Sequence, residues 1–233
     1  MPFMFFDQYY LLLVVPTLIL SLWAQIMVKS TFAKYSKIPC SKKISGQDSA
    51  ALLLKSNSIR DVKIEAVGGS LTDHYDPRTK VVRLSNPVFS EVSIAAVGVA
   101  AHEAGHAIQH ATKYGPLALR STLVPVANIG SRFGPFLAMI GLFFHDSSMS
   151  ILFNIGIMLF AGAVLFYVIT LPVEFNASAR AIAILRENNV LTANELKGVR
   201  KVLTAAAMTY VASALTAIMS LLRLILLSRN RRR

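Results

Sequence analysis

The run Ala101-His102-Glu103-Ala104-Gly105-His106-Ala107 sets two histidines four residues apart, with a glutamate directly after the first. On a helix, residues i and i+4 share a face, so both imidazoles can reach one metal ion at about 2.0–2.1 Å. Glu103 lies one step round, where its carboxylate can take a proton from water acidified by that ion. Those residue types at this spacing are what metal-assisted hydrolysis of a peptide bond requires. The flanks are small and apolar (Val97, Gly98, Ala100, Ala104), and a charged trio on such a helix needs partners or a metal. The expectation is one Zn2+ per chain, with His102 and His106 as ligands and Glu103 as catalytic base.

A third ligand is needed. His110 continues the period of four, but eight residues of helix rise about 12 Å, and Ile108-Gln109 gives no break that would bring His110 back to the ion. The glycine and later histidine of the extended H-E-x-x-H-x-x-G-x-x-H pattern are missing as well. Three downstream carboxylates compete. Glu195 reads as part of a capping box with Thr192, and Glu187 as a solvated helix end. Glu174 follows Leu171-Pro172-Val173 and opens an Ala-rich stretch, where it would also complement a helix dipole. It is the expected third ligand, because the membrane hairpin described next returns it to the side of His102 and His106.

These residues are carried by a chain of membrane composition. Of its 233 residues, 54% are hydrophobic and only 15% charged, and the apolar residues come in blocks. Four blocks near 9–28, 117–144, 149–171 and 205–227 approach the roughly 20 residues that span a bilayer. The first does not read as a cleaved signal peptide, since no basic residue precedes it. Lys29, Lys34, Lys37, Lys42 and Lys43 follow it, which predicts that 29–116 is cytoplasmic. Segments 117–171 then form a hairpin through the outer loop His145-Asp146-Ser147-Ser148, and 172–204 returns to the cytoplasm with Glu174. The remaining 205–233 is an apolar helix with a basic tail. Four full crossings would put the arginines at 229–233 outside, against the same rule. Alternatively the last segment lies along or re-enters the inner face, with Arg223 snorkelling, and the sequence leaves both arrangements open.

The fold class expected is therefore a mainly α membrane protein. About four transmembrane or membrane-associated helices accompany a zincin-like α+β cytoplasmic portion that carries the histidine helix. In that portion, 47–55 suits a helix and 61–67 alternates as a strand. Residues 71–75 and 80–84 flank the turn residues Asp76-Pro77-Arg78-Thr79, which predicts a hairpin. From Ser93 to about Tyr114 the pattern is helical. The net charge of +12 fits anionic lipid and orientation better than nucleic acid, for which no reading module is present. Cys40 is the single cysteine, which excludes an intrachain disulfide and a thiolate zinc cage.

The run from Ala101 to His110 resembles the YugP-like neutral zinc membrane peptidases. So do Thr72-Asp73-His74-Tyr75-Asp76-Pro77, Val81-Val82-Arg83-Leu84-Ser85, Pro172-Val173-Glu174-Phe175 and Ala206-Ala207-Met208-Thr209-Tyr210. The order of zinc helix, hairpin and glutamate helix is also similar to HtpX-type and CAAX-prenyl membrane proteases. The resemblance implies a gluzincin-like zinc endopeptidase in the cell membrane, acting at the cytoplasmic face on protein or peptide substrates associated with the membrane. In those relatives an aspartate four residues after the glutamate steadies a zinc-bound histidine, and here Ser178 stands in its place, a hydroxyl able to accept from an imidazole N–H. An oxyanion donor is also needed, and spacing singles out none of His74, Tyr75, His110 and Arg180. Tyr75 and His74 also fall where a strand edge would take an extended substrate. Two other classes compete. A membrane scaffold or regulator with a structural zinc site would have no use for Glu103, and a transporter would rely on Arg120 and Arg132.

Overall fold

A computed structural model describes residues 7–144 and 147–231; His145 and Asp146 of the expected outer loop and the last two arginines lie outside the described residues. The elements follow in the order of a π-helical turn Tyr10–Val14, α1 (Val15–Tyr35), α2 (Gly46–Ser56), β1 (Lys63–Val67), β2 (His74–Asp76), β3 (Val81–Ser85), α3 (Asn86–Phe89), α4 (Ile94–Ala111), α5 (Gly115–Phe143), α6 (Ser147–Glu187) and α7 (Ala193–Arg231). Two compact units result. One gathers Met1–Gln25, Leu119–Leu171 and Thr209–Arg233, the other Ile26–Ala118 and Pro172–Met208.

The first unit is a helical membrane body. Among the described residues four helices are long and apolar enough to cross a bilayer: Tyr10–Tyr35, Gly115–Phe143, Ser150–Glu187 and Ala193–Asn230. Leu12, Ile19, Phe136 and Met158 point outward, as a lipid solvent permits. With no hydrophobic drive between helices in lipid, close packing of small residues holds them together. Gly134 and Gly156 let α5 and α6 meet, since a Cβ on Gly134 would stand 2.7 Å from the Phe160 Cβ. Thr216 and Ser21 approach to 3.4 Å between α7 and α1. The Arg223 guanidinium, for which snorkelling was one of the two arrangements left open, pairs with Asp7 through Nε at 2.8 Å and lies over the Tyr10 ring. That pair, with the Thr216–Ser21 approach, sets the C-terminal part of α7 beside the start of the first helix and antiparallel to it.

The second unit is α+β. Ser45 and Asp48 form a reciprocal capping box at the start of α2, satisfying amides that the first turn leaves open. The three strands stand in the order β1-β3-β2, with β1 parallel to β3 and β2 antiparallel to it. The hairpin expected from the Asp76-Pro77-Arg78-Thr79 turn forms as β2–β3, with Tyr75 opposite Val82. β3 is central, and Val82 and Leu84 are fully buried against the core that α2 and α4 share. Cys40 is buried in the same core. β2 is left as an edge strand.

Candidate metal centre

The centre is built where α4 and α6 cross closely. Ser93 caps α4, its hydroxyl accepting from the Ala96 amide at 3.1 Å. The helix then runs to Ala111 with Glu103 and His106 buried on it. Gly105 explains how α6 comes near enough. A Cβ there would stand 2.6 Å from the Ala177 carbonyl oxygen, backbone that cannot swing aside. The motif's glycine therefore sets the approach of the two helices between His102 and His106, two residues that could hold a metal. On the other side, α6 continues through Pro172 without breaking and carries Glu174 on its next turn.

Three ligand atoms converge. The Glu174 Oε2 lies 3.3 Å from His102 Nε2 and 3.6 Å from His106 Nε2. One donor atom from each of the three residues falls within 4.8 Å of the others. Two ligands of a tetrahedral zinc, each about 2.0–2.1 Å from it, stand about 3.3–3.4 Å apart. The two distances from Glu174 lie at or near that edge. The donor set, two imidazole nitrogens and a carboxylate oxygen, is also the chemistry zinc prefers. Glu174 is 2% exposed, so this carboxylate is withdrawn from solvent and aimed at the two histidines.

The remaining ring nitrogens are held from behind. His102 Nδ1 meets the Ser178 hydroxyl at 3.1 Å, the contact expected of the serine that replaces an aspartate. His106 Nδ1 meets Gln109 Oε1 at 3.0 Å. The second contact fixes a tautomer through a chain of donors. Arg180 can only donate, and its Nε gives a hydrogen bond to Asn176 Oδ1 at 2.8 Å. That identifies the Asn176 atom as the oxygen, which also accepts from Gln109 Nε2 at 3.0 Å. Gln109 Nε2 gives its other hydrogen to the Val173 carbonyl at 2.8 Å. Gln109 Oε1 is thus the acceptor and His106 Nδ1 carries the hydrogen, which leaves Nε2, facing Glu174, as the atom that takes up a proton or a metal ion. Burial opposes charge on His106, but the Glu174 carboxylate, with Glu103 and Gln109 behind it, outweighs burial and raises its pKa. The same negative surroundings favour a cation at Nε2.

Each sequence candidate has a definite place. Arg180 is engaged with Asn176 and lies over the Tyr114 ring, so it buttresses the network. His110 lies outside the ligand group, its Nδ1 paired with the Tyr75 hydroxyl at 2.7 Å. Burial, with Asp61 and Asp76 nearby, pushes the Tyr75 phenol up to about 12, so it stays protonated at neutral pH. His74 is exposed on the edge strand, and its ring contacts the Thr72 carbonyl. Glu195 binds the Thr192 amide and the Ser41 amide and hydroxyl, which agrees with the cap. The residues that sequence reasoning passed over are Gln109 and Asn176. A glutamine inside an apolar helix, three residues after a ligand histidine, was the available signal.

The comparisons agree with this geometry. Residues 10–229 match the family described as "putative neutral zinc metallopeptidase". A relative from Bacillus subtilis (strain 168), "Putative membrane protease YugP", is 47% identical over 223 residues, covering 96% of this chain and 98% of that protein. No solved structure matches. The match spans both the membrane helices and the convergent His102, His106 and Glu174, so the chain belongs to this family of neutral zinc metallopeptidases.

Proposed function

We propose that the chain is a membrane-bound zinc endopeptidase that cleaves membrane-associated proteins or peptides at the cytoplasmic face. His102, His106 and Glu174 would hold one zinc ion, and Glu103 would be the general base. The observation that carries this reading is the convergence of three ligand atoms while both Nδ1 atoms are tied back by Ser178 and Gln109. When bound, zinc supplies a Lewis acid that acidifies water and polarises a peptide carbonyl. The chain's own part is positional and protonic. His106 keeps its hydrogen on Nδ1 through Gln109, and His102 is oriented by Ser178. Glu103, buried one residue from His102, accepts the proton of the attacking water on a carboxylate oxygen and then delivers it to the departing amine. The lysines after the first apolar segment support the cytoplasmic side.

The test compares wild type with Glu103→Gln. Proteolysis of a membrane-protein substrate should fall about 10²–10⁴-fold while bound zinc stays at one per chain. Equal activity in both proteins would refute the catalytic role. Full zinc occupancy in Glu174→Ala would refute the third ligand.

A further inference from the structure

A cavity lies in the α+β unit between the end of α1 and the start of α7, lined by none of the residues of the metal centre. It encloses about 550 Å³ and is lined by Thr31 and Lys34 from α1 and by Lys197, Arg200, Lys201 and Thr204 from α7. On each helix these positions recur at intervals of three or four residues, so each presents one continuous face to the space. Gly198 sets the separation of the helices at one end: a Cβ there would stand 2.8 Å from the Tyr35 ring. Among the described residues no carboxylate pairs with any of the four cations, and Lys34 meets only the Tyr35 ring. The nearest acid in sequence, Glu195, is occupied by Ser41 and Thr192. Four positive charges around one cavity call for a counter-anion. Threonine hydroxyls beside them add neutral donors of the kind that bind phosphate oxygens.

The position of the cavity along the two helices points to the class of anion. The first apolar segment ends at Val28 with Lys29 directly after, and the fourth begins at Ala205 directly after Thr204. The cavity therefore straddles the level at which both helices change from apolar to basic, with Met27 at its apolar end. That is where phospholipid headgroups lie. We propose that this cavity binds the phosphodiester headgroup of an anionic phospholipid. Lys197, Arg200 and Lys201 contact the phosphate, Thr31 and Thr204 donate to it, and Met27 meets the acyl chains. The site is independent of the peptidase reading.

The full-length protein, purified in detergent, would be titrated with phosphatidylglycerol or phosphatidylcholine and the retained lipid counted by native mass spectrometry. Wild type should retain phosphatidylglycerol in preference to phosphatidylcholine. A Lys197→Gln/Arg200→Gln/Lys201→Gln protein should bind it on the order of a hundredfold more weakly. Removing the same number of charges at Lys42, Lys55 and Lys63 should leave binding within about twofold. A Thr31→Val/Thr204→Val protein, which keeps every charge, should show a smaller loss, and this guards against misfolding of the triple variant. Equal losses from both triple variants, with no effect of the threonine changes, would reduce the site to diffuse charge and overturn the proposal. So would equal retention of phosphatidylcholine, or full displacement of phosphatidylglycerol by millimolar inorganic phosphate, which would mark a free-anion site.

Discussion

The membrane body and the α+β unit solve opposite problems with the same chain. In the membrane body, large apolar side chains such as Leu12 and Met158 face outward, and contact between helices depends on glycines such as Gly134 and Gly156. Around the metal centre the interior instead holds Glu103, His106, Gln109 and Glu174. Burying them costs several kcal/mol each unless hydrogen bonds or a metal compensate. In the α+β unit specificity therefore comes from polar pairing, and in the membrane body from close approach. Gly105 is where the α+β unit borrows the membrane device, using a missing side chain to bring a polar cluster together.

The contrast can be broken most sharply at that glycine. Gly105→Val should push the Ala177 backbone away, carry Glu174 off the two histidines and abolish zinc retention. Metal analysis of the purified protein would check it, and full occupancy would show that α4 and α6 need no close approach. Next in size is Gln109→Leu, which keeps the volume but removes the acceptor that holds His106 Nδ1–H. Zinc affinity should fall about 10–100-fold in a competition titration with a chelator. Arg180→Met acts two bonds further out and should cost less, on the order of threefold in the same titration if it only frees Asn176 to turn.

In the membrane body the Asp7–Arg223 pair offers the matching test. Asp7→Leu removes the carboxylate that Arg223 pairs with and should destabilise the fold by roughly 3 kcal/mol, with zinc affinity unchanged in the protein that remains folded. The double change Asp7→Leu/Arg223→Leu should recover most of that loss. A stability no lower than wild type in the single variant would show that the pair contributes nothing. The smallest effect belongs to Asp76 in the hairpin. The Thr79 hydroxyl and the Arg78 amide, with Arg83, hold its carboxyl at about 2 against the usual 3.8. A group with a lowered folded pKa stabilises above its unfolded value and loses that contribution as pH falls from about 3.8 to about 2. Asp76→Asn should therefore lower the melting temperature slightly at pH 6 and leave it unchanged near pH 2.

Hydropathy was enough to read the membrane helices, because the bilayer demands about 20 apolar residues whatever surrounds them. The alternation in 61–67 and the Asp76-Pro77 turn likewise foretold strands and hairpin, with ends up to three residues off. Arg223 was harder. Its partner Asp7 lies 216 residues away, and no local pattern connects them. The interior Pro172 was similarly opaque, since a proline after an apolar run reads as a boundary, yet α6 passes through it.

The sequence by itself determined the grouping of the candidate trio, because helical periodicity alone puts His102 and His106 on one face with Glu103 beside them. It also pointed to Glu174, through the logic of a hairpin returning to its starting side. Only the tertiary structure decided how those groups are held. Gln109 lies on one helix, and Asn176 and Arg180 on another more than sixty positions further along the chain, and which atom donates to which depends on their packing. Spacing along the chain specifies which groups can share a face, whereas the direction of a hydrogen bond exists only once the second helix has arrived.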